Sequence, residues 1–344
     1  MPELKIYTVK DLREWLENNH PAEGLSERVI APTRAWAIVH NPYVKDEDAI
    51  IAAIFEDGEL AAYTASFPDM LEGKRVWWAS TLYCYPKYTG KGYGLIIVGS
   101  LMEAHEPELT YDRWGAQETV EIFHHLGHQT AYTSRYHLSN KKIDTNTIKG
   151  ELVHCAQFIK ETLHPWPKPS KACYTLRYAS YVDGAAYAFM KAHKGHDLWL
   201  REQDMLNWTL RYPLRQGCVL QERAEKDLHF TSYTQSYSYQ VVKVYVDGLL
   251  QGVYVLRMHD DALGIVSLYY SKKHQYNIYA SILDHILTIH PKEFTTDDKE
   301  VWMYVKGKGL FPKSLEEKVS FSIPASVKLK SNYTLQLGDG DSFA

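Results

Sequence analysis

The chain is poor in the residues that mark specialised environments. Its 344 residues include four cysteines, Cys84, Cys155, Cys173 and Cys218, and none forms a CxxC pair. That argues against a disulfide framework or a structural zinc site and fits a reducing compartment. No run of about 18 apolar residues occurs, so no membrane span is expected. The opening, MPELKIYTVKDLREW, lacks a basic segment leading into an apolar core and a small-residue cleavage site. An excess of positive charge is missing too: 38 Lys and Arg face 42 Asp and Glu, for a formal charge of -4. A nucleic-acid or anionic-membrane binder is expected to be far more basic. Together these absences lead us to expect a cytoplasmic protein with neither a nucleic acid nor a membrane as partner.

What the chain has in quantity is tyrosine. Its 26 tyrosines bring the aromatic content to 13%, which suggests half-buried sheet surfaces and broad clefts. At roughly 150 residues per domain the length corresponds to a little over two domains, and the halves read as distant copies. In the first, KIYTV (5–9) reads as a strand, DLREWLENN (11–19) and RAWAIVHNP (34–42) as helices, and IIAAIFEDGELAAYTASF (50–67) as a hairpin turning at Asp57-Gly58. YTLRYASYV (174–182), DGAAYAFMKAHK (183–194), MLNWTLRYP (205–213) and VVKVYVDGLLQGVYVLRM (241–258) repeat that order, with Asp247-Gly248 at the second turn. After the first hairpin come VWWASTLYCY (76–85) as a strand, a glycine-rich loop and LIIVGSLMEAH (95–105) as a helix. ELTYD (108–112), QETVEIFHHLG (117–127) and QTAYTSRYHL (129–138) follow as strand, helix and strand. TIKGELVHCAQFIKETL (147–163) reads as an amphipathic helix, and HPWPKPSK (164–171), with its three prolines, as a stiff connector. The expectation is a mixed α/β (α+β) sheet fold in two units, 1–166 and 171–344.

The sharpest local pattern is Leu82-Tyr83-Cys84-Tyr85-Pro86-Lys87-Tyr88-Thr89-Gly90-Lys91-Gly92-Tyr93-Gly94. A strand runs into a glycine-rich turn that opens a helix, so backbone N–H groups and the helix dipole converge on an anion-sized site. Gly90, Gly92 and Gly94 have no side chains to block a phosphate. The pattern meets neither GxxxxGK[ST] nor GxGxxG, and glycines alone also fit a turn that needs flexible residues.

With the apolar helix that follows it and the later VEIFHHLGH helix between two strands, LYCYPKYTGKGYG resembles the GNAT superfamily of acyl-CoA-dependent N-acyltransferases. The resemblance covers about residues 3–138. It implies that main-chain groups of Leu82, Tyr83, Cys84 and Tyr85 pair with the pantetheine arm of acetyl-CoA or another short acyl-CoA. The amides of Thr89, Gly90, Lys91, Gly92, Tyr93 and Gly94 would cradle its pyrophosphate. Where the family usually has Arg or Gln, Thr89 stands here, and Lys87 and Lys91 are the residues that could supply charge. The activity implied is N-acetyl transfer to a small-molecule amine. Three departures touch catalysis: no acid lies between Trp77 and Thr81 on the fourth strand, Phe123 falls where a tyrosine often protonates the leaving thiolate, and His128 replaces the usual aromatic.

Two side chains remain as acid or base. Asp112 ends the ELTYD strand, which in the family fold edges the cleft facing the acyl group, and could accept a proton directly or through water; its competing reading is a cap or turn aspartate. His124 neighbours Phe123 and could act as base or acid; its competing reading is a surface histidine. Tyr83 and Tyr85 fit aromatic walls, and Cys84 a small buried residue rather than a nucleophile. His124-His125 fails the HHxxxD pattern of another acetyltransferase class, and His193-x-x-x-Asp197 lacks its sequence context. Gly127 interrupts His124 and His128 and no third ligand is evident, so no metal is expected.

The second copy keeps strand, turn and helix in ALGIVSLYYSKKHQYNIYASILDHILTIHP (262–291), and DKEVWMYVKGKGLFPK (298–313) parallels the late helix. Its turn, SKKHQYN, has no glycine, so only the first copy is expected to hold a coenzyme. The second then either helps to form the acceptor cleft or is a structural repeat. A non-catalytic acyl-CoA-binding or interaction module is the alternative to the enzyme. Aminoacyl or peptidyl transfer would need a tRNA-sized basic surface that the net charge does not advertise.

Overall fold

The structure is a computed structural model that describes residues 1–113, 116–140, 173–195, 197–213, 216–217, 233–329, 333–336 and 338. The expected helix at 147–163, the connector at 164–171, Cys155 and Cys218 lie outside the described residues.

The first half runs β1 (Glu3–Thr8), α1 (Val9–Asn18), α2 (Pro32–Val39), β2 (Ala49–Glu56), β3 (Glu59–Leu71), β4 (Lys74–Cys84), α3 (Tyr93–His105), β5 (Leu109–Arg113), α4 (Gln117–His125) and β6 (His128–Ser139). The second repeats it as β7 (Thr175–Ala179), α5 (Gly184–Ala192), α6 (Gln203–Arg211), β8 (Tyr237–Val246), β9 (Leu249–His259), β10 (Ala262–Tyr270), α7 (Gln275–Ile289), β11 (Glu293–Thr296), α8 (Lys299–Lys306) and β12 (Lys313–Pro324). Local chemistry fixes the boundaries. Thr8 and Asp11 form a reciprocal capping box that starts α1, and Pro32 opens α2, where its missing N–H is not needed. Asp57 and Gly58 have φ of 53° and 81°, and Asp247 and Gly248 have 50° and 78°, the paired left-handed geometry of a tight hairpin turn.

Among the described residues, the larger of two sheets holds twelve strands in the order β1-β2-β3-β4-β5-β12-β6-β11-β10-β9-β8-β7. It reads as two copies head to head, except that their last strands have crossed. β12 pairs with β5, β6 pairs with β11, and β6 and β12 run antiparallel from His128↔Pro324 to Ser139↔Lys313. Each copy therefore covers a strand edge of the other, an edge that would otherwise present unpaired N–H and C=O groups.

Apolar residues on both faces of the sheet explain its two helical layers. One face of the first half packs Leu12 and Ile38 of α1 and α2 against Ile51, Phe67 and Trp78, and the other packs Ile97, Leu101 and Phe123 of α3 and α4 against Ala52 and Ile54. The same division returns with α5 on one side and α7 and α8 on the other. Trp208 of α6 packs at a tilt against Phe67, ring centroids 5.6 Å apart, and donates to the Ala37 carbonyl at 2.7 Å, so a helix of the second copy completes the layer over the first.

Candidate functional site

β4 and β5 run parallel only while Val76–Trp78 face Leu109–Tyr111. Beyond that, Asp112 and Arg113 turn to β12, where they face Ser322 and Phe321, while β4 continues to Cys84. A wedge opens between the strands. At its start the β3–β4 register slips between Tyr63 and Ala65, and Thr81 takes φ 50°. A bulge of this kind re-aims the residues after it, and a β-branched residue with positive φ is rare enough to signal a functional constraint.

The wedge leads to the glycine loop. Pro86–Tyr88 form a single 3-10 turn, Gly90 and Gly92 have φ of 84° and 76°, and α3 begins at Tyr93. Ile96 donates the first helical bond, to the Gly92 carbonyl at 3.2 Å, which leaves the earlier amides of α3 without helical partners. The sequence assigned six amides to an anion, and the turn itself uses two of them: Thr89 N–H bonds the Pro86 carbonyl at 3.2 Å and Lys91 N–H the Tyr88 carbonyl at 3.3 Å. Gly94 N–H is directed to the Cys84 sulfur. Gly90, Gly92 and Tyr93 remain, joined by Leu95. A Cβ at Gly90 or Gly92 would meet nothing within 4 Å, whereas one at Gly94 would lie 2.8 Å from Ile122 Cδ1. The first two glycines border open space; Gly94 lets α3 approach α4.

The lysines of the loop are already paired. Lys87 Nζ lies 2.8 Å from Glu59, and Lys91 Nζ 2.7 Å from Glu56. Tyr93 and Tyr88 hydroxyls donate to the same carboxylates at 2.8 and 3.0 Å. These hydrogen bonds hold both carboxyls below their usual range and both ammonium groups above theirs. Tyr83 stands edge-on to Tyr85 at 5.2 Å, giving the wedge an aromatic wall. Burial pushes the Cys84 thiol up, away from thiolate chemistry.

Asp112 and His124 occupy different environments. Asp112 is buried at the mouth of the wedge, and the guanidinium of the adjacent Arg113 is held by Asp297 at 3.0 Å. His124 is exposed on the last turn of α4, next to Phe123, which is fully buried. The buried histidine here is His128: its Nε2 lies 2.8 Å from the Thr110 carbonyl and burial pushes its pKa down, so it holds β5 as a neutral ring.

The second copy has the same wedge with different contents. β10 and β11 pair only over Ala262–Gly264, and Leu268-Tyr269 runs into a 3-10 turn as Leu82-Tyr83 does. No residue of that turn has positive φ. Gln336 and Gly338 lie in this wedge. Leu268 N–H donates to Gln336 Oε1 at 3.1 Å, and Gly338 N–H donates to the Val266 carbonyl at 2.7 Å. A Cβ at Gly338 would come within 2.4 Å of Val266 Cγ1, so only glycine fits. Asp197 accepts from Thr334 at 2.6 Å and from Gln336 Nε2 at 2.7 Å.

No family model matches the sequence, and no curated protein matches it. Solved structures do. An N-myristoyltransferase from Saccharomyces cerevisiae with bound myristoyl-CoA is similar over 95% of this chain and 84% of its own, at 11% identity and a TM-score of 0.51. A GCN5-related N-acetyltransferase from Sphaerobacter thermophilus is similar over 94% of this chain and 95% of its own, at 11% identity and a TM-score of 0.50. The chain has the GNAT fold, in two copies.

In this tandem GNAT fold, sequence reasoning found the loop and missed its surroundings. Glu56 and Glu59 flank the Asp57-Gly58 turn, so their nearness to the loop followed from the hairpin pairing, had β3 been laid against β4. Gln336 had no local signal, because an exposed-looking polar residue near a chain end resembles any other. No helix among the described residues is long and apolar enough to cross a membrane.

Proposed function

We propose that the chain is an acyltransferase that moves an acetyl or other short acyl group from its coenzyme A thioester to an amine, with units 1–166 and 171–344 as the two copies and the chemistry in the first. The supporting observation is the correspondence of Leu82 with Leu268. In the second wedge an amide carbonyl accepts from Leu268 N–H; in the first, the pantetheine and thioester carbonyls are the groups of matching chemistry. Leu82 N–H polarises the thioester carbonyl, and the amides of Gly90, Gly92, Tyr93 and Leu95 take the pyrophosphate. The amine nitrogen attacks the carbonyl carbon, its proton passes to Asp112 or through water to solvent, and the C–S bond breaks as the tetrahedral intermediate collapses. Phe123 has no proton to give, so the thiolate leaves as such and is protonated from solvent.

Calorimetry with acetyl-CoA tests the site: one molecule per chain is expected, and two equivalent sites or none would overturn the assignment. Thiol release over a panel of primary amines tests turnover. Tight coenzyme binding without turnover of any amine would favour the non-catalytic module, a reading that the paired lysines and Phe123 keep in view.

A further inference from the structure

β12 carries its apolar residues in alternation: Val319, Phe321 and Ile323 are buried, and the last two join the core on the α1–α2 side of the sheet. Ser320 and Ser322 therefore face the other side, where α4 packs against β6 and β12. As a sequence, KVSFSIP (318–324) is an ordinary half-exposed strand whose serines belong to solvent. The crossing of β6 and β12 changes that for Ser322, which lies directly opposite Asp112 of β5 and is 1% exposed. Tyr111 joins the α1–α2 core, so Thr110 and Asp112 project to the α4 side as well. Directly opposed residues of an antiparallel pair share a face, with Cβ atoms about 5 Å apart. The second copy thus brings a hydroxyl beside a carboxylate of the first.

The Ser322 and Thr110 hydroxyls are buried and have no hydrogen-bond partner among the described residues. A buried hydroxyl in that condition costs stability that an apolar side chain of the same shape would not. Packing alone therefore does not favour a serine here, and local conflicts of this kind concentrate at functional sites. The neighbouring groups do not take over its part. On the α4 side His128 holds the Thr110 carbonyl as a neutral ring and Phe123 stands edge-on to it at 5.1 Å, while Arg113 points to the opposite face and Asp297.

We propose that Ser322 is a positioning residue for Asp112, its hydroxyl donating to the ionised carboxylate while that carboxylate takes the proton of the attacking amine. The inference deepens the acyl-transfer reading and rests on it, with Asp112 as the base. Hydrogen bonds to a catalytic base are often long before substrate is bound and tighten in the complex, and a serine needs only a χ1 change between staggered wells to make this one. Donation favours the charged carboxylate and fixes which of its oxygens meets the amine. The exchanged strand makes the second copy part of the first copy's site instead of a repeat beside it.

Ser322→Ala, Asp112→Asn and the double variant, each as the full chain, separate positioning from packing. Ser322→Ala removes a hydroxyl that packing does not need, so its urea midpoint should equal or exceed the parent's, and its dissociation constant for acetyl-CoA should stay within about twofold. Its kcat should nonetheless fall about tenfold, and the acidic limb of its pH–rate profile should move up by about 0.5–1 pH unit. In the Asp112→Asn background the same change should alter kcat less than about twofold, because the carboxylate it serves is gone. Ser320→Ala, on the same strand face but opposite Tyr132, should match the parent. A parental kcat and acidic limb in Ser322→Ala, or an equal loss in both backgrounds, overturns the inference, as does a parental profile in Asp112→Asn; each leaves the acyl-transfer reading standing. Failure of the unmodified chain to bind coenzyme A or to acylate any amine removes that reading and this inference with it.

Discussion

Asp69 of β3 and Arg201, which precedes α6, meet at 2.9 Å with 0% and 2% of their side chains exposed, and the contact joins the two copies. Burial pushes the Asp69 carboxyl up, while Arg201 and the Trp78 N–H, 2.9 Å away, oppose the shift. Removing one member leaves the other charge buried. Arg201→Met should therefore lower the unfolding free energy by about 3–5 kcal/mol, and Asp69→Leu with Arg201→Met should recover most of that loss. Urea unfolding measures both; a single-variant effect below about 1 kcal/mol would show that the pair does not hold the seam.

Glu56 and Glu59 compete with a pyrophosphate for Lys91 and Lys87. Glu56→Gln and Glu59→Gln should each tighten acetyl-CoA binding several-fold at low salt, and the gain should shrink as salt screens the freed charge. Gly92→Glu should abolish binding, because it places bulk and negative charge in the open space before the α3 amides. Unchanged affinity in Gly92→Glu would remove the loop from the coenzyme site.

His105 reports on the core under α3. Its ring stacks on Trp77 at 3.6 Å, Nε2 lies 2.8 Å from the Ala49 carbonyl, and burial lowers its pKa from 6.5 to about 4. Between those values the unfolded chain binds a proton that the folded chain does not. The stability contributed by neutral His105 is thus complete above about pH 6.5 and falls as pH drops toward 4, by roughly 3 kcal/mol in all. In His105→Gln this part of the slope should disappear from unfolding free energies measured between pH 4 and 7; an unchanged slope would place the protonation elsewhere.

The two candidate acid–base residues should separate in kinetics. Asp112→Asn is expected to lower kcat/KM about tenfold to a thousandfold and to remove the acidic limb of the pH–rate profile. His124→Gln, altering an exposed ring, should stay within about threefold of the parent. The reverse ranking would move the base to α4, and two parental profiles would leave proton transfer to water.

The glycine loop was legible because its signal is local. Pro86, Gly90 and Gly92 dictate a turn whatever surrounds them, and the alternation in VWWASTLYCY marks the strand before it. Which amides of the loop stay available was not legible: Thr89 and Lys91 spend theirs inside the turn, and a sequence does not display a turn's own hydrogen bonds. The repeat was equally readable from the two Asp-Gly hairpins. The crossing of β6 and β12 was not, because either strand satisfies its alternation against any neighbour of suitable register.

By itself the sequence determined the elements of the first copy through β6, their repetition in the second as far as its late helix, and the loss of glycine from the second loop, since each follows from dihedral preference and from apolar spacing over a few residues; it did not announce β11 or β12. Tertiary structure alone decided that the last strands exchange, that Arg201 neutralises Asp69, that two glutamates hold the loop lysines and that Gln336 fills the second wedge. These depend on groups brought together across long stretches of chain, where burial and pairing energy are settled by the whole fold and leave no mark in the neighbouring residues.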